Sequence, residues 1–271
     1  MAGLIAPQAR RRPRFHGLRV SDVQRLTDDA VAVSFALPPE LSEAFAFTPG
    51  QHLTLRASID GEDVRRSYSI CRSPRDVHRL GELRVAAARV EGGAMSNWLN
   101  DDVAVGDEIQ VMEPMGDFAT PLSARSGRHH VAFAAGSGIT PIMSLIMTAL
   151  QSTDEDTVTL VFGNRRTDTI MFREELADLV GHYPTRFRLV HVLSREAQED
   201  ELLSGRLDET RIRAIIERIT PTETVDVWYL CGPFGMVEGA QRVLAQLEVD
   251  PAHVQHEVFY VDEPGEPIEP A

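Results

Sequence analysis

Lysine is absent from this chain: all 27 basic residues are arginine, and they are spread along its length. That distribution points to a GC-rich coding sequence rather than to one arginine-based function. Cysteine is scarce too. Cys71 and Cys231 lie far apart with no Cys-x-x-Cys or similar spacing, which excludes an iron-sulfur cluster or structural zinc held by these thiols. Positive charge is in deficit, with a formal net charge of -14, so no basic face is available to release counterions from nucleic acid. A local basic pocket remains open. With 271 residues and 43% hydrophobic composition, the chain can build one large core or two ordinary ones.

Long uninterrupted apolar runs are also rare. Residues 131–150, VAFAAGSGITPIMSLIMTAL, are uncharged and long enough for a membrane span. Gly136, Gly138 and Pro141 interrupt them, however, and the stretch divides into a buried strand, a turn and a buried helix, so no membrane partner is expected. The start, MAGLIAPQARRRPRF, places its charge after a very short apolar stretch, the reverse of a secretory signal. Two unpaired thiols and no export signal make the cytoplasm the expected compartment.

What is present falls into two textures. From Phe15 onward, short apolar runs (AVAVSFALP, QHLTLRASIDGEDVRRSYSI, GELRVAAARV, VGDEIQVMEP) are cut by turn residues, which predicts an antiparallel β-barrel interrupted by one short helix at AMSNWLND. After ARSGRHH, strands rich in Val, Leu and Phe (HVAFAAG, TVTLVFGN, RFRLVHVLS, VDVWYLCG) alternate with helical PIMSLIMTALQS, MFREELADLV, ETRIRAIIERI and GMVEGAQRVLAQL. That alternation predicts an α/β doubly wound parallel sheet. The expected division is an arm over 1–14, a barrel over 15–125, an α/β domain over 126–259 and a Pro/Glu-rich tail or linker over 260–271.

Several short motifs carry chemistry. GSGITP sets Gly136, Gly138 and Pro141 between strand and helix, where small residues let the backbone approach a pyrophosphate and the helix N-terminus favours its charge. The next strand ends in Asn164, Arg165 and Arg166 in place of the acidic residue of a standard NAD site, and the third ends in Ser194 and Arg195. Hydroxyl and guanidinium groups on two strand ends suit a ribose phosphate. In the barrel half, RRSYSI directs Arg66 and Tyr68 to one side and Ser69 to the other. GGAMSNWL offers glycines and free amides at a helix start. Cys231, at the carboxyl end of its strand, reads from the residues alone either as a buried packing thiol or as part of a site.

RSYS, GGAMSNWL, GSGITP, LSRE and CGPFGM occur in the order and approximate spacing of the plant-type ferredoxin-NADP reductase superfamily, which the chain resembles over roughly residues 15–259. FGNRRTDTIMFREELADL and HVLSRE are most similar to reductase components of bacterial oxygenases, such as those serving phenylacetyl-CoA or ketosteroid hydroxylation. The resemblance implies FAD held by Arg66, Ser67, Tyr68, Ser69, Gly93, Ala94, Met95, Ser96, Thr140 and Phe259. Arg66 would meet the pyrophosphate, Tyr68 the isoalloxazine and Ser69 its N5. It also implies NADPH, with NADH open, held by Gly136, Gly138, Thr140, Pro141, Asn164, Arg165, Ser194, Arg195, Cys231, Gly232, Pro233 and Met236, with Arg166 as support. Ser69, Cys231 and Glu257 take the catalytic positions, and the implied acceptor is an iron-sulfur protein, a ferredoxin or an oxygenase component.

Two departures matter. The plant pattern ends in a stacking tyrosine, whereas this chain has HEVF, with Glu257 and Phe259, and continues to Ala271. The similar oxygenase reductases carry a [2Fe-2S] domain beyond such a linker, so either the chain is a fragment of a longer reductase or its acceptor is separate. The rival readings are a free-flavin or haem-protein reductase and a non-catalytic flavin-binding protein. No metal site is expected, since His253 and His256 in HVQH have no third Cys or His nearby and read as part of a strand.

Overall fold

The computed structural model describes residues 13–118 and 126–259. Most of the expected arm, the stretch 119–125 at the expected boundary, and the tail 260–271 lie outside the described residues.

Six strands, β1 (Phe15–Thr27), β2 (Ala30–Ala36), β3 (His52–Ile59), β4 (Glu62–Ser69), β5 (Glu82–Ala88) and β6 (Glu108–Met112), form one antiparallel sheet in the order β4-β3-β6-β1-β2-β5. Asp60 and Gly61 have φ of 51° and 84°, the left-handed backbone that a two-residue hairpin requires, and they join β3 to β4. The sheet curls until its edge strands meet at an Ile70–Val85 bridge, giving the expected barrel. Val31, Val33, Phe35, Leu53, Leu55, Val85 and Ile109 fill it, each contributing about 1.5–3 kcal/mol on leaving water.

The alternate residues Ala30, Ala32 and Ala86 point out of the barrel, yet they are buried, because the second half of the chain packs on them. Alanine on that outer face lets the two halves approach closely. Helix α2 (Ala94–Asp101) stands where the sequence predicts it, and α1 (Pro74–Leu80) is an addition to the expected elements. Its signals are local: Ser73 caps it by accepting from the Asp76 amide, Pro74 fits its first turn, and Gly81 closes it at φ 68°. Seven residues are too few to show an apolar stripe.

In the second half, β7 (His129–Ala135), β8 (Thr157–Asn164), β9 (Phe187–Leu193), β10 (Val227–Gly232) and β11 (Val254–Val258) form a parallel sheet in the order β11-β10-β7-β8-β9. The uncharged run 131–150 is strand β7, a 3-10 turn over Gly136–Gly138, and α3 (Ile139–Ser152). No helix among the described residues is long and apolar enough to cross a membrane. α3 and α4 (Arg173–His182) cover the sheet face that looks toward the barrel, while α5 (Glu209–Ile219) and α6 (Phe234–Gln246) cover the other. Along β10 the period of two therefore sends Trp228 and Leu230 to α5 and α6, and Tyr229 and Cys231 to the barrel side.

Chain order runs outward from β7 through β8 to β9, then returns to β10 on the opposite flank of β7. That reversal leaves a crevice outside the carboxyl ends of β7 and β10, where open parallel sheets bind ligands.

Candidate active site

At this crevice the backbones of the GSG turn and of β10 come into contact. A Cβ on Gly138 would lie 2.3 Å from the Cys231 carbonyl oxygen and 2.8 Å from Gly232 Cα, so only glycine fits. Gly136 differs: its φ of 54° demands glycine, but a Cβ there meets nothing within 4 Å. The linear motif assigns both glycines to a ligand. The structure adds that Gly138 packs against the β10 backbone and that Gly136 takes the left-handed step of the turn. Thr140 and Pro141 are buried, and the Thr140 hydroxyl donates to the Ser137 carbonyl at 3.0 Å. No side chain caps α3, which leaves its N-terminus to attract an anion.

Across the crevice, Cys231 is fully buried and stands in register with Ala134 on one side and Glu257 on the other. Burial first, and the Glu257 carboxylate second, hold the Cys231 thiol well above its ordinary pKa, so it stays protonated at neutral pH. Burial also raises the Glu257 carboxyl to about 6. Its Oε2 is buried with no hydrogen-bond partner among the described residues. The Phe259 amide donates to the Gly232 carbonyl at 2.9 Å, extending the β10–β11 ladder, and its ring packs beside the cluster that holds Cys231. Pro233 precedes α6, and Met236 is buried with its Cε 3.0 Å from where a Cβ on Gly232 would stand.

The neighbouring strand ends continue this edge. The Ser194 amide donates to the Asn164 carbonyl at 2.9 Å and the Arg195 amide to the Arg165 carbonyl at 2.8 Å, which fixes the four residues side by side. Asn164 Nδ2 is a second buried orphan among the described residues. Arg165 lies 3.7 Å from Asp29 and Arg166 lies 3.6 Å from Asp168. Arg195 is exposed, and its guanidinium has no hydrogen bond or ion pair among the described residues.

On the barrel, Arg66 and Tyr68 lie opposite Leu55 and Leu53, and Ser69 lies opposite His52, so the expected alternation holds. Arg66 is exposed, with its guanidinium donating to the Arg65 carbonyl at 2.7 Å. Tyr68 is half-buried beside the barrel core, and Ser69 is buried. The Ser67 hydroxyl sits 3.1 Å from that of Thr54. At α2, Gly93 occupies the cap position with no side-chain cap. Met95 points into the barrel core, and the Ser96 hydroxyl accepts from the Val90 amide and donates to the Gly93 carbonyl. Those two side chains are committed to the fold, so α2 offers a ligand its backbone amides. His52 is a residue that sequence reasoning missed. Burial holds its imidazole below the ordinary pKa, and the Ser69 register that gives it meaning is not visible in the linear pattern. His253 and His256 are both exposed, and no group of three or more His, Cys, Asp or Glu among the described residues is placed to hold a metal.

Comparison with known proteins matches the same two halves. Residues 17–120 fit the oxidoreductase FAD-binding domain and residues 133–242 the oxidoreductase NAD-binding domain. One component of the 1,2-phenylacetyl-CoA epoxidase of Escherichia coli (strain K12) is 41% identical over 246 residues, which are 90% of this chain and 68% of that protein. The ferredoxin reductase component of 3-ketosteroid-9-alpha-monooxygenase from Rhodococcus rhodochrous is 36% identical over 243 residues, 89% of this chain and 64% of that protein. The chain thus spans about two thirds of the length of these relatives. A solved ferredoxin NADP+ reductase from Neisseria gonorrhoeae with bound FAD and NADP has the same fold, with a TM-score of 0.72, 22% identity, and coverage of 91% of this chain and 99% of that one. A cytochrome P450 reductase from Amycolatopsis gives a TM-score of 0.77 at 26% identity, covering 95% of this chain and 73% of that one.

Proposed function

The chain belongs to the ferredoxin-NADP reductase superfamily of FAD- and NAD-binding oxidoreductases, and on that footing we propose an NADPH-oxidising reductase that hands single electrons to an iron-sulfur acceptor. The observation that carries this reading is the crevice between β7 and β10, where Gly138 meets Cys231 and Glu257 presents a buried, unpartnered oxygen. Bound FAD would supply the chemistry of hydride acceptance from a reduced nicotinamide and of release of electrons one at a time.

The protein's part is to bind, orient and exclude water. Residues 15–125 form the FAD unit and residues 126–259 the nucleotide unit. Arg66 and the amides at Gly93, Ala94 and Met95 hold one pyrophosphate, while the GSG turn and α3 hold the other. Tyr68 supplies a flat apolar face with a polar tip. Ser69 places a hydroxyl at the end of β4, and Glu257, with a pKa of about 6, can hold or release a proton near neutrality. Cys231, buried and protonated, shapes the crevice without forming a bond. Asn164 Nδ2 and the exposed Arg195 guanidinium, with Ser194, favour a nucleotide carrying a 2'-phosphate, hence NADPH over NADH.

The two relatives named above are components of oxygenase systems, which supports an oxygenase or ferredoxin acceptor. Absorption spectra of the purified protein before and after anaerobic NADPH test the reading. A flavin band that bleaches supports it, and a protein that never retains flavin removes it. Turnover assays with ferredoxin, cytochrome and free flavin then identify the acceptor.

A further inference from the structure

Arg84, on β5, is a charged residue with its side chain only 7% exposed. Its guanidinium donates to both carboxylate oxygens of Glu175 at 3.0 Å each, donates to Gln24 Oε1, and lies over the Phe172 ring at 5.4 Å. Arg84 and Gln24 belong to the barrel, whereas Phe172 and Glu175 introduce and open α4 of the parallel-sheet half. Another ion pair that joins the halves, Arg165 with Asp29, is 3.7 Å long with both side chains more than half exposed, and solvent leaves such a pair little strength. The Arg84 pair is shielded and bidentate, so it can fix an angle as well as hold a distance.

Its barrel end leads to the site. The Arg84 carbonyl accepts from the Cys71 amide at 2.9 Å and from the Cys71 thiol at 3.3 Å, just past Ser69 at the end of β4. At the other end, Phe172 is buried at φ 57°, a left-handed backbone rare for a bulky residue, and this holds its ring against the guanidinium at the start of α4. A second set of bonds ties the halves through α1 and α3: Ser144 Oγ to the Arg72 carbonyl at 2.9 Å, and Gln151 Nε2 to Asp76 at 2.7 Å. With α3 attached in this way, the Arg84–Glu175 pair is placed to control the remaining rotation.

We propose that Arg84 and Glu175 are positioning residues that set the angle between the two halves, and thereby the spacing of nicotinamide and flavin. The catalytic consequence rests on the oxidoreductase reading above; the angular one does not. In Glu175→Gln and Arg84→Lys holoproteins, the limiting rate of flavin reduction by NADPH should fall about tenfold or more, because small misplacements of reacting groups are costly, while the nucleotide Kd stays within about twofold. Combining the two substitutions should cost little beyond either alone. Small-angle scattering of the oxidised holoproteins without nucleotide should show a larger maximum dimension than the wild type. Unchanged limiting rates together with superimposable scattering curves would overturn the proposal, whatever happened to Tm. A wild-type protein whose flavin neither NADPH nor NADH reduces defeats the oxidoreductase reading instead, and scattering still tests the pair.

Discussion

Cys231 and Glu257 stand side by side on adjacent parallel strands, in direct register, and the carboxylate acts on the thiol. The Glu257 carboxylate helps keep the thiol protonated, and the apolar surroundings they share raise the carboxyl to about 6. A thiol held neutral beside a carboxyl poised near physiological pH suits ring packing and proton handling better than nucleophilic attack, which needs a thiolate.

Cys231→Ser should therefore lower the limiting rate of flavin reduction by about 10- to 100-fold through disturbed ring geometry, with the Kd for NADPH altered by less than about threefold. Rapid-mixing absorbance separates the two quantities. A rate equal to that of the wild type returns Cys231 to simple core packing.

Glu257→Gln should show a pH-dependent gain in stability. The folded carboxyl titrates at about 6 and the unfolded one at 4.5, so the unfolded state loses its proton first as pH rises, and stability falls between those values. At pH 7.5 the Gln variant should melt higher than the wild type by a few degrees, and at pH 4.5 the difference should vanish. Thermal melts across that range are the check.

One buried and three half-buried histidines pull the other way. His52, His129, His130 and His191 are all held below 6.5, in each case first by burial. Below pH 6.5 the unfolded state protonates before the folded one, so stability present above 6.5 is lost as pH falls toward the folded values. Their contribution should appear as a decline in the wild-type Tm from pH 7 to pH 5. His130→Gln should make that decline shallower, since His130 is enclosed by Asp156 and Tyr229.

Arg195→Gln should raise the Kd for NADPH about 10- to 100-fold, the worth of a charge-assisted contact to phosphate, and leave NADH nearly unaffected. Equal losses for both nucleotides would place Arg195 outside the 2'-phosphate contact.

Gly138→Ala forces a methyl group into the Cys231 carbonyl, where backbone cannot yield as a flexible side chain would. Overpacking of this kind costs about 1–3 kcal/mol, or roughly 3–10 °C of Tm in a chain of this size. Gly136→Ala meets open space but a left-handed φ, so its loss should be smaller and purely conformational.

Much of this was legible in the sequence because it is written locally. The Ala/Val alternation of β2, the strand-helix alternation after residue 126 and the helix at Glu209–Ile219 follow from periodicity alone. What escaped depends on residues distant in the chain. His52 gains its place only through pairing with Ser69, Gly138 owes its identity to β10, and the burial of Arg84 follows from a partner on α4. α4 starts at Arg173, later than its apolar pattern suggests, because Phe172 leaves the helical backbone to pack under Arg84.

Hydride transfer across the Cys231–Glu257 crevice is tested most sharply by rapid mixing of the holoprotein with NADPH and with NADPH deuterated at nicotinamide C4. The flavin should bleach, deuterium should slow the bleaching, and Cys231→Ser and Glu257→Gln should slow it further without loss of flavin. A flavin that stays bound and oxidised with both NADPH and NADH, or bleaching indifferent to both deuterium and Cys231, would contradict hydride transfer at this site.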